Sequence, residues 1–153
     1  MNSIYKFDFE LNEDILLLEY DRVKHLAEDY IDPRGQVEDW KMIKCNFHYA
    51  KYLIKYFMLG EVRPRFYFLK KDTVIPEHID DGTKCSINFL LNSKNPAPVT
   101  IEGVEYYYKN CLLNTQKIHS VKNDTEDRLL FKLSIFDDDF ETVKEKIQNA
   151  LNK

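Results

Sequence analysis

Four residues in this chain have the types and order to do chemistry together: His78-Ile79-Asp80, then His119, then Arg128 nine residues beyond it. On a strand, residues i and i+2 face the same side, so His78 and Asp80 can address one point. A neutral imidazole and a carboxylate are two of the three ligands of the facial triad that holds non-haem Fe(II) and leaves positions open for co-substrate and O₂. Alone, the His-x-Asp pair fits equally well a surface histidine beside two solvated acids. His119 changes that reading. It lies in Gln116-Lys117-Ile118-His119-Ser120-Val121-Lys122-Asn123, expected to be a later strand. In a jelly roll the second and seventh strands are neighbours, so His119 can complete the set. Arg128 then supplies a planar, permanently charged fork for the far carboxylate of a dicarboxylate chelated at the metal.

The elements that must position these residues fall into three groups. Residues 1–61 read as helical support. Asn12 followed by Glu13 and Asp14 marks a helix start, with Ile15, Leu18, Arg22 and Leu26 at helical spacing. Ile31-Asp32-Pro33-Arg34-Gly35 is a break. A second helix is expected from about Asn46, presenting Phe47, Ala50, Ile54 and Phe57 to a core and ending at Gly60. Residues 62–137 read as short runs of β-formers between turn residues, near 65–70, 74–80, 85–91, 98–102, 104–109, 111–114, 117–122 and 128–136. The clearest hairpin is Val99-Thr100-Ile101 with Val104-Glu105-Tyr106 across Glu102-Gly103. Eight short strands imply a sandwich or barrel of the jelly-roll kind. In 138–153 the acids at Asp137, Asp138 and Asp139 cap a last helix with the stripe Phe140, Val143, Ile147 and Leu151. The whole is expected to be one mainly β (α+β) domain.

Composition bounds the partners. The chain has 153 residues, 44% hydrophobic, with ten Tyr and ten Phe, aromatic content that suits a pleated core. A net charge of −4 offers no footprint for a phosphate backbone, so a nucleic-acid partner is not expected. Lys44, Lys51 and Lys55 read as a solvated helix face. No apolar run is long enough to span a bilayer, and Met1-Asn2-Ser3-Ile4-Tyr5 lacks the pattern of a secretory leader. Cys45, Cys85 and Cys111, widely spaced and odd in number, read as reduced thiols. The expected location is therefore cytoplasmic, the host's cytoplasm if the source is viral. His25 is expected at the surface and His48 against the barrel. Trp40 fits either a groove lining or a hydrophobic anchor, Asp81 is expected to point away from the site, and Tyr106-Tyr107-Tyr108 reads as barrel wall.

At Ile75-Pro76-Glu77-His78-Ile79-Asp80, Cys85-Ser86-Ile87-Asn88-Phe89-Leu90, His119-Ser120-Val121-Lys122-Asn123 and Arg128-Leu129-Leu130-Phe131-Lys132-Leu133-Ser134, the chain resembles the Fe(II)/2-oxoglutarate-dependent dioxygenases. Within them it looks like the small hydroxylase-like members near the prolyl and aspartyl/asparaginyl β-hydroxylase groups, including those of phages and marine bacteria. The resemblance covers about residues 62–137. It implies a double-stranded β-helix, cupin-like, with Fe(II) on His78, Asp80 and His119 and 2-oxoglutarate as co-substrate held at its distal carboxylate by Arg128. It also implies O₂ as the second co-substrate, succinate and CO₂ as co-products, and a protein or peptide side chain as the hydroxylated substrate. Some of these families place Ser or Thr two residues after the arginine, where this chain has Leu130. A second co-substrate anchor must come from elsewhere, and Tyr67 and Asn88 are the nominees. Two other readings stay open at this point: a non-catalytic jelly-roll binding module, and an oxygenase acting on a nucleobase or small molecule.

Overall fold

The computed structural model describes residues 3–32 and 35–153, so Met1, Asn2, Pro33 and Arg34 lie outside it. Eleven strands and three α-helices are described: β1 (Ile4–Lys6), α1 (Glu13–Val23), β2 (Glu28–Asp32), β3 (Gly35–Lys44), α2 (His48–Tyr56), β4 (Val62–Leu69), β5 (Thr73–His78), β6 (Cys85–Leu91), β7 (Val99–Ile101), β8 (Val104–Tyr106), β9 (Asn110–Leu113), β10 (His119–Asn123), β11 (Arg128–Ile135) and α3 (Phe140–Leu151). A seven-stranded sheet runs β1-β9-β6-β11-β4-β3-β2, and a four-stranded sheet runs β5-β10-β7-β8. Every pairing is antiparallel. Each of the eight strands expected between 62 and 137 is present.

Period-two alternation sorts the residues of the large sheet. On β6 and β11, Ile87, Phe89, Phe131, Leu133 and Ile135 pack on the outer face with Ala50, Leu53 and Phe57 of the α2 segment and Phe140, Val143 and Ile147 of α3. The opposite face holds a second, smaller apolar group that includes Trp40, Tyr67, Leu69, Val121 and Tyr108. The two core clusters are therefore the two sides of one sheet. The hairpin turn is as read: Glu102 and Gly103 both take positive φ, 49° and 82°, the combination that matches strand twist in a two-residue loop. Asp139 caps α3, its carboxylate accepting from the Thr142 amide at 2.9 Å.

The first sixty residues depart from the helical reading. β1 pairs with β9, and β3 extends the large sheet beyond β4 with β2 at its edge. In β3, Trp40 and Met42 face the second cluster while Ile43 faces the first. This alternation over Trp40-Lys41-Met42-Ile43 is a strand signal that helical periodicity does not describe. Of the expected break, Ile31 and Asp32 close β2 and Gly35 opens β3, with Asp32 opposite Gly35, and Pro33 and Arg34 lie outside the described residues. In α1 the run Leu16-Leu17-Leu18 allows two phases, and the structure buries Leu16 with Tyr20 and Val23 against the core. Ile15, Leu18 and Leu26 are exposed, so the stripe through them was the wrong face.

α2 stops earlier than Gly60. Met58 adopts a left-handed φ of 53°, its amide donates to Lys55 and that of Leu59 to Ile54, the two bonds of a Schellman closure. Gly60 instead permits close approach, since a Cβ there would run into the Asp137 carboxylate. His48, expected against the barrel, is exposed at the start of α2. Cys45, Cys85 and Cys111 are free thiols.

Candidate metal centre

His119 opens β10 and stands directly opposite His78 at the end of β5. The two rings lie 4.3 Å apart between centroids. Asp80 reaches the same point from just beyond the strand, not from within it. β5 ends at His78, and the segment after it is tied to the β9–β10 connection. The Asp80 amide donates to Thr115 O at 3.0 Å, and the Gln116 side chain donates to the carbonyls of Asp80 and Thr83. Asp81 therefore escapes strand alternation. It lines the cavity rim instead of turning away.

The imidazole tautomers follow from the carbonyls they meet. His78 Nδ1 lies 2.8 Å from Pro76 O and His119 Nδ1 2.8 Å from Lys117 O. A carbonyl only accepts, so each Nδ1 carries its proton and each neutral ring presents a lone pair at Nε2. Both Nε2 atoms lie 3.2 Å from the same oxygen, Asp80 Oδ1. The three ligand atoms all fall within 4.8 Å of one another. When a metal binds, the two neutral rings and the carboxylate would each turn a lone pair toward it. Cis ligands about 2.1 Å from a metal lie about 3 Å apart, the spacing found between Asp80 Oδ1 and each Nε2.

The other oxygen, Asp80 Oδ2, accepts from Lys132 Nζ at 2.9 Å. Burial pushes the Asp80 carboxyl up, but opposing charge, led by the Lys132 ammonium, holds the group well below the usual carboxylate range. Asp80 is thus a fixed anion with one oxygen aimed at the histidines. Lys132 is not among the site residues that residue type and order select from the sequence. Its signal was nonetheless present, because residues 128, 130, 132 and 134 share one face of β11.

The donors line a cavity of about 540 Å³ inside the barrel. Arg128 is buried at one end, donating to Ala97 O at 2.7 Å and to the Tyr108 hydroxyl at 3.1 Å. The Asn88 amide reaches the same hydroxyl at 3.5 Å and is itself held by Ser86 at 2.9 Å. Tyr67 also lines the cavity, its hydroxyl accepting from Arg65 at 3.3 Å. The structure therefore brings all six sequence-selected residues to one cavity. It adds Tyr108, assigned above only to the barrel wall, and Trp40, which is 7% exposed with its ring 6.5 Å from that of His78. Within the Tyr106–Tyr108 run, Tyr107 is exposed and Tyr108 buried.

No protein-family profile and no curated protein sequence matches this chain. Solved structures do match. A prolyl-4-hydroxylase from Pseudomonas putida aligns over 86% of this chain and 91% of its own at 14% identity, with a TM-score of 0.64. A collagen prolyl hydroxylase of Paramecium bursaria Chlorella virus-1, solved as a 2-oxoglutarate complex, aligns over 86% and 94% at 7% identity and 0.60. A predicted oxalate decarboxylase from Thermotoga maritima aligns over 72% and 91% at 16% identity and 0.51. The fold is a double-stranded β-helix. At such identities the likeness is one of fold. In the double-stranded β-helix of this chain, β4, β11, β6 and β9 form one wall and β5, β10, β7 and β8 the other, with the donor set at the mouth between β5 and β10.

Proposed function

We propose that this protein is an Fe(II)- and 2-oxoglutarate-dependent oxygenase that hydroxylates a protein or peptide side chain, with O₂ as co-substrate and succinate and CO₂ as co-products. The observation that carries the reading is the convergence of His78 Nε2, His119 Nε2 and Asp80 Oδ1, with each histidine's Nδ1 committed to a backbone carbonyl. The ion, when bound, supplies the oxidative chemistry; the chain supplies ligands, orientation and a walled cavity.

Each residue then has a stated task. His78, Asp80 and His119 present one donor atom each. Lys132 keeps Asp80 ionised and turned so that a single oxygen faces the histidines, the outer support that fixes a ligand. Arg128 spends two of its five N–H groups on Ala97 O and Tyr108, leaving three for a carboxylate at the closed end of the cavity. Tyr108, Tyr67 and Asn88 offer hydroxyl and amide groups along the wall between Arg128 and the donor set. Trp40 packs beside His78 and limits water on that side.

The test is conversion of 2-oxoglutarate to succinate by the Fe(II)-loaded chain, set beside a co-substrate titration of Arg128→Ala. Turnover requiring Fe(II), with co-substrate affinity about 2–4 kcal/mol weaker in the variant and Fe(II) affinity unchanged, is expected. Iron binding without any 2-oxoglutarate binding or turnover would leave a metal-binding β-helix of another kind.

A further inference from the structure

The end of the cavity opposite Arg128 carries charge that the proposed reaction does not use. The ladder between β4 and β11 sets the order: Arg128 opposite Leu69, Leu130 opposite Tyr67, Lys132 opposite Arg65, and Ser134 opposite Arg63. Lys132 marks the level of the donor set, through Asp80. Arg65 is therefore level with the donor set and Arg63 lies beyond it, on the side away from Arg128, and both line the cavity.

These two arginines are held but not neutralised. Arg63 stacks over the Phe136 ring at 4.4 Å, and Arg65 donates to the Tyr67 hydroxyl. Among the described residues neither has a carboxylate within ion-pair distance. Arg65 also sits in register between two other cations, Lys132 on β11 and Lys44 on β3. Like charges directly opposite across strands destabilise a sheet, and an anion between them removes that cost. The cavity as a whole sets Arg63, Arg65, Arg128 and Lys132 against Asp80 and Asp81, in a chain whose net charge is −4. A divalent cation and a dicarboxylate co-substrate cancel one another, so the positive surplus survives loading.

We infer that Arg63 and Arg65 form an oxyanion site for the primary substrate, which carries a carboxylate or phosphate group close to the atom that reacts. The assignment to the primary substrate rests on the oxygenase reading; the oxyanion site itself rests only on the cavity. Two guanidinium forks at i and i+2 on one strand face match the planar or tetrahedral oxygen sets of such groups. Anion-bearing substrate is drawn to the open end while 2-oxoglutarate is held at the closed end by Arg128. The two anions thereby approach the metal from opposite sides.

The experiment measures binding to the full chain loaded anaerobically with Fe(II) and 2-oxoglutarate, using N-acetylglutamate amide, N-acetylphosphoserine amide and the neutral isostere N-acetylglutamine amide. At least one anionic probe is expected to bind about tenfold or more tighter than the isostere. Whichever anion is preferred identifies the source of the oxyanion. Arg63→Gln/Arg65→Gln should erase the preference with Fe(II) and 2-oxoglutarate affinities and melting temperature retained. The single variant Arg63→Gln, at the exposed rim, should erase part of it. Equal binding of all three probes to wild type, or a preference that persists in the double variant, overturns the inference and leaves the oxygenase reading standing. If wild type binds neither Fe(II) nor 2-oxoglutarate, the oxygenase reading fails instead, and an arginine-dependent preference measured on the metal-free chain still establishes the oxyanion site.

Discussion

The two faces of the large sheet are made by the same strands and do opposite things. Along β11, Leu129, Phe131, Leu133 and Ile135 turn outward into an aromatic core closed by α2 and α3. Arg128, Leu130, Lys132 and Ser134 turn inward to line the cavity. Outside, Phe131 meets Phe66, Phe89 and Phe47 at ring distances of 5.3, 6.2 and 6.0 Å. Inside, the neighbours of Lys132 across the ladder are Arg65 and Asn88. The outer face contributes burial of apolar area, the largest favourable term in folding. The inner face buries polar groups, which must be hydrogen-bonded or paired to be tolerated. Stability and chemistry are thus separated by one residue step along a strand.

That separation can be broken from the outside first. Phe131→Ala, at a fully buried position, is expected to cost about 3–5 kcal/mol in urea unfolding, with the surviving folded fraction binding Fe(II) as wild type does. A loss under about 1 kcal/mol would place the stabilising core elsewhere. Ile147→Ala on α3 is expected to cost about 2–5 kcal/mol, since this side chain is also fully buried against the sheet. An unchanged midpoint would show that α3 is not docked.

The inner face is expected to respond differently. Lys132→Met removes the ammonium from the nearly buried Asp80 carboxylate and should destabilise the metal-free chain by about 1–3 kcal/mol. Added Fe(II) should recover that loss, because a cation again faces the carboxylate. A destabilisation that iron does not relieve would make Lys132 a packing residue. The smallest effect concerns a thiol. Burial, followed by the acids at 139, 138 and 137, pushes Cys85 up to about 12. At pH 8 it stays protonated, so alkylation of Cys85 should track global unfolding. Labelling faster than unfolding would reveal local opening of the outer core.

Much of this was legible in the sequence for a physical reason. The eight strands from Val62 to Ile135 announce themselves by alternation and by turn residues, and Cys85–Leu91 has the bounds that its apolar run implies. His78, His119 and Arg128 could be selected by residue type and order. The less legible parts depend on tertiary pairing. β3 forms because Trp40 and Met42 find Leu69 and Tyr67 across the ladder, and local propensity does not contain that partner. Asp80 was assigned to a strand, but it sits where strand geometry has ended and contacts with Thr115 and Gln116 fix the backbone. The phase of α1 hung on three successive leucines, and Arg22 within the chosen stripe argued for the other face. Lys132, by contrast, was readable from Arg128 by counting in twos.

The most direct measurement is an anaerobic calorimetric titration with Fe(II) of wild type, His78→Ala, Asp80→Ala and His119→Ala. One ion per chain in wild type, and loss of that binding in each variant while the metal-free protein still folds cooperatively, is the predicted result. Wild-type affinity persisting in any one of the three would contradict the account, because that side chain would then not be a ligand.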